Sequence, residues 1–286
     1  DEFLTIIKCP NCGSDQSSSE LEKDHLKIVK CNSCNLVYTN PIFDESHYDQ
    51  IYKSKQYQDI VKNLGEESHN YRVDRFGNER VKHLKTFSGK NEKISYLDVG
   101  CSTGFVVEAA LKEGWDALGI DLNPSAISFG QSKNLPIKEI DIFELQDQNH
   151  FDIISMYDVL EHLYDPSKII EKVKVLLRPG GLVHIYVPNY DSASRYLMGK
   201  NAHFIWPSHH LVYFTIRTIE DFLSRRNFSI LDIRTEGLDI FDYIWNEEQS
   251  KNNKVDDLNK IADKLQFFIN AGGYGKNLRV IAKLES

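Results

Sequence analysis

The sequence has no apolar run approaching the roughly 18 residues needed to cross a bilayer, and its N-terminus has no apolar core of the kind a signal peptide carries. A soluble, cytoplasmic chain with no membrane partner is therefore expected. Positive charge is also short. Lys and Arg number 34 against 42 Asp and Glu, a net charge of -8, and such a surface repels phosphates, so a small-molecule partner is favoured over nucleic acid. G-x-G-x-x-G is absent, which removes the usual dinucleotide fingerprint. There is no internal repeat and no low-complexity segment, so the 286 residues should hold one substantial core plus a small module.

Cysteine is scarce but patterned. Four of the five, Cys9, Cys12, Cys31 and Cys34, form C-x2-C-x18-C-x2-C, the spacing at which two knuckles bring four thiolates to one tetrahedral zinc. Disulfides are the weaker reading for a chain without a secretion signal. Four protein ligands leave no open position, so the metal's role should be structural, and about 40 residues need its folding energy because their own core is too small. Between the pairs, His25 to Val29 alternates as a short strand. The fifth, Cys101, reads as a small packing residue.

The stretch YLDVGCSTG, Tyr96 to Gly104, organises the remainder: a buried strand, a turn bracketed by Gly100 and Gly104, and a helix from Phe105 to Glu113 closed by Gly114. A second strand, Ala117 to Ile120, ends in Asp121, where a doubly wound sheet places the carboxylate that accepts both hydroxyls of a ribose. Asn123-Pro124 starts a helix. Ile137 to Ile140 is a third strand, Phe151 to Met156 a fourth, and Tyr157 to Leu163 follows at its carboxyl end. Asp165-Pro166 opens a helix to Leu177, R-P-G-G turns into a strand Leu182 to Val187, and Thr218 caps a helix through Arg226. Phe228 to Thr235 is a sixth strand, and Asn277 to Leu284 the last. Between those two lies an insertion whose Val255, Leu258, Ile261, Ala262, Leu265, Phe268 and Ile269 fall on one helical face. Before the first strand, Tyr48, Ile51, Tyr52, Tyr57, Ile60, Val61 and Leu64 partly match helical spacing. Gly100, Ser102 and Gly104 also satisfy G-x-S-x-G, the elbow of a serine hydrolase, but too few strands precede it and no HGGG-type stretch is visible.

D-V-G-C-S-T-G, G-I-D-L-N-P-S-A, F-D-I-I-S-M-Y-D-V-L-E-H-L and L-R-P-G-G-L-V-H-I-Y-V-P-N together resemble a class I S-adenosylmethionine-dependent methyltransferase. C-N-S-C-N-L-V-Y-T-N-P, Cys31 to Pro41, resembles the end of the zinc ribbon found in bacterial sugar and natural-product methyltransferases. The resemblance implies an α/β fold: a doubly wound, Rossmann-like, seven-stranded and mostly parallel sheet whose last strand is antiparallel, with an N-terminal zinc ribbon (residues 1–43), a helical segment over the cofactor (44–90), and a methyltransferase domain (91–286) carrying a helical insertion at 238–275. It implies that Gly100, Ser102 and Gly104 hold the methionine part of S-adenosylmethionine, Asp121 the ribose, and Asp141 with Ile142 the adenine, while Asp98, Cys101, Phe105, Leu122, Tyr157, Tyr71 and Arg72 line the same site. His162 is a candidate base, with Glu161 beside it; the alternative is that both brace the site. A second candidate is His210, with His209 adjoining, in the histidine- and aromatic-rich Asn201 to Phe214. The implied acceptor is a sugar, a nucleotide-linked sugar or a related precursor, handled by a monomer or homodimer. Two rivals stand beside this: a ribosomal RNA base methyltransferase gripping RNA through its zinc module, and a non-catalytic cofactor-binding module.

Overall fold

The computed structural model describes residues 4–44, 47, 50, 54–89, 93–249 and 255–285; Tyr48, Ile51 and Tyr52 of the first helical pattern, and the side chains of Tyr57, Ile60, Val61 and Leu64, lie outside what it describes. In chain order the strands β1 (Leu4–Thr5), β2 (Ser17–Lys23), β3 (Leu26–Cys31), β4 (Val37–Thr39) and β5 (Ile42–Phe43) are followed by helix α1 (Lys55–Arg72), a π-helical turn Val73–Gly77, and α2 (Asn78–Ser88). Then come β6 (Ser95–Val99), α3 (Phe105–Lys112), β7 (Asp116–Asp121), α4 (Pro124–Ser132), β8 (Ile137–Glu139), β9 (Phe151–Tyr157), α5 (Pro166–Leu176) and β10 (Leu177–Pro188). The chain ends with α6 (Ala193–Met198), β11 (Val212–Tyr213), α7 (Ile216–Ser224), β12 (Phe228–Glu236), α8 (Asp239–Gln249), α9 (Asp256–Asn259), α10 (Ala262–Ala271) and β13 (Asn277–Leu284).

Every residue of β6 and β9 is buried, as central strands covered on both faces must be. They lie side by side in a seven-stranded sheet of order β12-β13-β10-β9-β6-β7-β8. The pairings are parallel except that β13 runs antiparallel to both its neighbours, as expected. The chain winds outward from β6 to β8, then returns to β9 on the other side. That reversal sets the carboxyl ends of β6 and β9 next to one another, at the switch point where such sheets bind ligands.

Local chemistry explains most boundaries. Asn123 Oδ1 accepts from the Ala126 N–H at 3.0 Å with Pro124 in the first turn, and Asp165 caps α5 likewise. Thr218 is not the cap of its helix. Thr215 is, and the two form a reciprocal box in which Thr215 Oγ1 accepts from Thr218 N–H (3.2 Å) and Thr218 Oγ1 from Thr215 N–H (2.8 Å), so the helix starts earlier. R-P-G-G is no separate turn but an irregular stretch within β10, between Leu177 and Leu182. The insertion's apolar face is broken at Ile261, which leaves helical geometry (φ -123°); Ile261 and Phe268 turn to solvent while Val255 and Ala262 pack on Ile240 and Ile244 of α8.

The N-terminal module is stitched to the rest. Its sheet, β11-β4-β3-β2, takes its outermost strand from Val212–Tyr213, far along the chain. Cys31, Leu36, Tyr38 and Ile42 share one apolar cluster with Leu160, Phe214 and Phe222. Arg226 stacks on Phe222 (3.9 Å), donates to Asn11 Oδ1 (3.2 Å) and to Ser167 Oγ (2.5 Å), while Ser167 Oγ donates to the Pro10 carbonyl (2.6 Å). Among the described residues, no helix is long and apolar enough to cross a membrane.

Candidate functional site

The turn after β6 is left-handed at three alternate residues: Gly100 (φ +73°), Ser102 (+51°) and Gly104 (+79°). A Cβ on Gly100 would lie 2.6 Å from Val159 Cγ2, so the turn can close only with glycine there. Ser102 holds this conformation with a side chain, at the steric cost that L-residues meet there. Gly100 and Cys101 N–H both donate to the Ile120 carbonyl (2.9 and 3.0 Å), tying the turn to β7. The Cys101 side chain is buried beneath it, where a Cβ on Gly119 would lie 2.8 Å from Cys101 Sγ.

Asp121, at the end of β7, accepts from Ser102 N–H at Oδ2 (2.7 Å) and from Asn123 N–H at Oδ1 (2.8 Å). Each oxygen keeps lone pairs free, enough for two neighbouring hydroxyls. Burial pushes its carboxyl up from the ordinary range, against the pull of those N–H groups. Leu122 beside it is exposed. Asp141 accepts from Phe143 N–H (2.9 Å) while Glu144 returns the bond to Asp141 N–H (2.9 Å), a box that fixes the loop and sets Ile142 in the core.

Behind the turn, buried Asp98 accepts from Ser155 Oγ (2.6 Å). Burial raises its carboxyl to about 7, opposed by Ser155 and by the guanidinium groups of Arg80 and Arg72. Arg72 lies over the Phe105 ring and Arg80 over the Tyr157 ring, each at 4.0 Å. Tyr71 instead faces solvent, its ring edge toward Phe76. Two anchors were not foreseen from sequence. His69 of α1 joins Thr103 Oγ1 through Nδ1 (2.9 Å) and Glu108 Oε2 through Nε2 (2.8 Å), and a Cβ on Gly65 would come within 2.7 Å of Thr103 Cγ2, so α1 lies directly on the glycine turn.

On the β9 side, Glu161 and His162 occupy a single 3-10 turn after Asp158, itself left-handed at φ +54°. Glu161 is 2% exposed and neither carboxylate oxygen has a hydrogen bond. His162 Nδ1 donates to the His209 carbonyl (3.0 Å) and His210 Nδ1 to the Phe204 carbonyl (2.7 Å), so both rings turn Nε2 the other way. Their centroids are 4.7 Å apart, and Glu161, His162 and His210 each bring one ligand atom within 4.8 Å of the others'. His209 contributes its carbonyl; its ring bonds to Ser208 and stacks on Trp206 at 3.7 Å. Burial, with His210 adjoining, pushes His162 down to about 3, and burial pushes His210 down to about 4, so neither keeps the value near 6.5 that makes histidine a ready base. Burial and the nearby Asp158 drive Glu161 well up.

What holds His210 in place is the N-terminal module. Thr39 of β4 donates its N–H to the Leu211 carbonyl (2.9 Å) and its hydroxyl to the His210 carbonyl (3.2 Å), and Leu211 N–H donates to the Glu161 carbonyl (2.6 Å). Within that module Cys9 Sγ lies 3.5 Å from Cys34 Sγ, and Cys12 Sγ 3.5 Å from Cys31 Sγ, with all four unbridged and mutually within 4.8 Å. Tetrahedral zinc with bonds of 2.3 Å spaces its sulfurs by about 3.8 Å, so the donor set fits.

A family model described as a methyltransferase domain matches residues 71–233, more than half of the chain. The chain belongs to this methyltransferase family. Its likeness to a ubiquinone biosynthesis O-methyltransferase of Coxiella burnetii is 33% identity over 113 residues, 36% of this chain and 46% of that one. The chain spans about half the length of the curated relatives it matches. In fold it is similar to a Burkholderia thailandensis 1,6-didemethyltoxoflavin-N1-methyltransferase solved with S-adenosylhomocysteine, at 14% identity and TM-score 0.53, covering 94% of this chain and 100% of that one. A Mesorhizobium loti S-adenosylmethionine-dependent methyltransferase gives 18% identity and TM-score 0.51, covering 74% and 99%. The Rossmann-like, mostly parallel sheet expected from the motifs is therefore the fold of this chain. Its family match begins at Tyr71 and takes in both the glycine turn and the Glu161–His162–His210 cluster.

Proposed function

We propose that this methyltransferase moves the methyl group of S-adenosylmethionine to an oxygen of a small, polar, polyhydroxylated metabolite, such as a sugar, a nucleotide-linked sugar or a related natural-product precursor. The observation that carries the reading is Asp121: a carboxylate at the end of β7, oriented by two backbone N–H groups and still able to accept from a ribose diol. The turn at Gly100, Ser102 and Gly104 would hold the methionine part through its backbone, with Asp98, Arg72 and Arg80 around its charged end. Leu122, Asp141 and Ile142 would face the base. When bound, S-adenosylmethionine supplies the electrophilic methyl. Glu161, His162 and His210 would face the acceptor across the strand ends, since Glu161 and His162 follow β9, the neighbour of β6, and His210 packs on His162. An oxygen acceptor is supported by the names of the curated relatives, and a small polar one by the net charge of -8.

Cys9, Cys12, Cys31 and Cys34 would hold zinc, with no open position, to brace the strand that positions His210. Titration calorimetry with S-adenosylhomocysteine tests the reading first: a one-to-one complex is expected, and no heat of binding overturns it. A radiolabelled-methyl assay over nucleotide-linked sugars, free sugars and catechols then assigns the acceptor class.

A further inference from the structure

We propose, resting on the methyl-transfer reading, that His69 is a positioning residue of the cofactor site. It seats α1 on the glycine turn so that the turn and Arg72 meet the amino-acid end of S-adenosylmethionine. Gly65, His69 and Arg72 follow one another at i, i+4 and i+7, so they share one face of α1. All three meet the glycine turn or the first turn of α3. A Cβ on Gly65 would lie 2.7 Å from Thr103 Cγ2, His69 bonds to Thr103 and Glu108, and the Arg72 guanidinium lies over the Phe105 ring at 4.0 Å. Among residues 65–72 only Gly65 and His69 are buried, so this end of the helix is seated by a close approach and a polar contact.

The hydrogen-bonding roles at His69 are fixed by its partners. Glu108 Oε1 accepts from Lys112 Nζ at 2.7 Å. Burial lifts the Glu108 carboxyl, but the bonds from Lys112 and His69 outweigh that and hold it below its ordinary value. An ionised Glu108 can only accept, so His69 Nε2 carries the proton and donates to Oε2 (2.8 Å). Burial also pulls the imidazole down from its ordinary value and keeps it neutral, so Nδ1 accepts from the Thr103 hydroxyl (2.9 Å). With His69 1% exposed and Thr103 0%, water does not make good a lost Thr103 bond. Phe129 of α4 closes a further side of the ring, edge-on at 5.4 Å.

What this clamp holds is strained. Thr103 stands between two left-handed residues, Ser102 (φ +51°) and Gly104 (+79°), and such backbone persists only where its surroundings over-determine it. The contacts close into a ring: from the turn through Thr103 to His69, on to Glu108, and back along α3, which starts from the same turn. Arg72 follows on the same face of α1 and is set over Phe105 by the same seat. Coupling of this kind is reciprocal. If a seated α1 tightens cofactor binding, bound cofactor must tighten the seating of α1 by the same factor.

The test uses the full chain with two ligands, S-adenosylhomocysteine and methylthioadenosine, which keeps the adenosine and the sulfur but lacks the amino-acid chain. By calorimetry, His69→Ala and Thr103→Val are each expected to weaken S-adenosylhomocysteine at least about tenfold and methylthioadenosine by no more than about threefold. Thr103→Ser, which keeps the hydroxyl, should stay within about threefold for both. A residue that merely stabilised the fold would shift the two ligands alike. In the unaltered chain, amide hydrogen exchange over residues 65–72 should slow with S-adenosylhomocysteine and not with methylthioadenosine. Unchanged S-adenosylhomocysteine affinity in the folded variants, equal loss of both ligands, or no added protection of residues 65–72 overturns the role of His69, and the last of these depends on no variant folding. Calorimetry on the unaltered chain separates the two readings: S-adenosylhomocysteine bound alongside any of those results removes the role of His69 alone, whereas binding of neither ligand removes methyl transfer and, with it, that role.

Discussion

The two halves of the proposed site are built in opposite ways. The centre of the proposed cofactor half comes from one contiguous run, Tyr96 to Asp121, in which two adjacent parallel strands and the turn between them place Asp98, the glycine turn and Asp121 by local geometry. The acceptor half is assembled from segments distant in sequence: the turn carrying Glu161 and His162, the loop ending in His210, and β4 of the N-terminal module, which pairs with β11 and fixes that loop. One half depends on backbone conformation, the other on long-range docking, so the two should fail separately.

The largest effect should come from the cysteine cluster. Structural zinc contributes on the order of 10 kcal/mol to folding of small modules. Cys31→Ser should release the metal, loosen β4 from β11 and let His210 drift from Glu161. Methyl transfer is expected to fall by about 100-fold or more, while the dissociation constant for S-adenosylhomocysteine stays within about threefold, because β6 and β7 take their ladder partners from the large sheet and none from the module's strands. Zinc content, calorimetry and the transfer assay on one preparation check this. A parallel loss of cofactor binding would mean the shared apolar cluster makes the halves one unit.

Asp121→Ala strikes the other half. It would remove the proposed acceptor for both ribose hydroxyls and leave Ser102 and Asn123 N–H without their partner, an expected loss of about 3 kcal/mol, or roughly 100-fold in cofactor affinity. The zinc content of the cysteine cluster should be unchanged, and a joint loss would erase the distinction.

Legibility followed the same division. The cofactor half could be read because glycine at 100 and 104 and an acid closing the next strand are local signals with local causes, and the structure gives both glycines the left-handed backbone that justifies them. Glu161, His162 and His210 could be picked out as reactive residue types, but their convergence could not, since it depends on a two-residue strand pairing with the N-terminal module. Burial is equally non-local: it takes His162 to about 3, far from the value its residue type suggests. His69 went unread because nothing in a helical stretch marks which side chain will reach Thr103 across the helix interface. At Thr215 a reciprocal threonine pair placed the helix start where spacing alone pointed to Thr218.

A third effect is smaller and depends on pH. Burial raises Asp98 to about 7, offset in part by Ser155, Arg80 and Arg72, with Asp121 adding to the rise. A carboxyl raised in the folded state favours the protonated form, so its contribution is fully present below its unfolded value near 3.8 and is lost as pH climbs through about 7. Asp98→Asn lacks that loss. Relative to the unaltered chain, it should gain about 2 kcal/mol between about pH 5.5 and pH 8, read as a difference in denaturation midpoints. A difference that stays flat with pH would show that the two guanidinium groups already hold Asp98 ionised.

The smallest effect, at Ser102, tests whether the turn acts through backbone alone. Its φ of +51° costs a side-chain-bearing residue about 1 kcal/mol, which glycine would relieve, while glycine's greater freedom in the unfolded chain takes back about 0.5 to 1 kcal/mol. The two nearly cancel, so Ser102→Gly should move the melting temperature by no more than about 2 °C, upward if at all. The N–H that Asp121 accepts is unchanged by the substitution, and cofactor affinity should stay within about twofold. A tenfold weakening at constant stability would assign the hydroxyl itself a ligand contact, and the cofactor half would then owe part of its binding to a side chain within the turn.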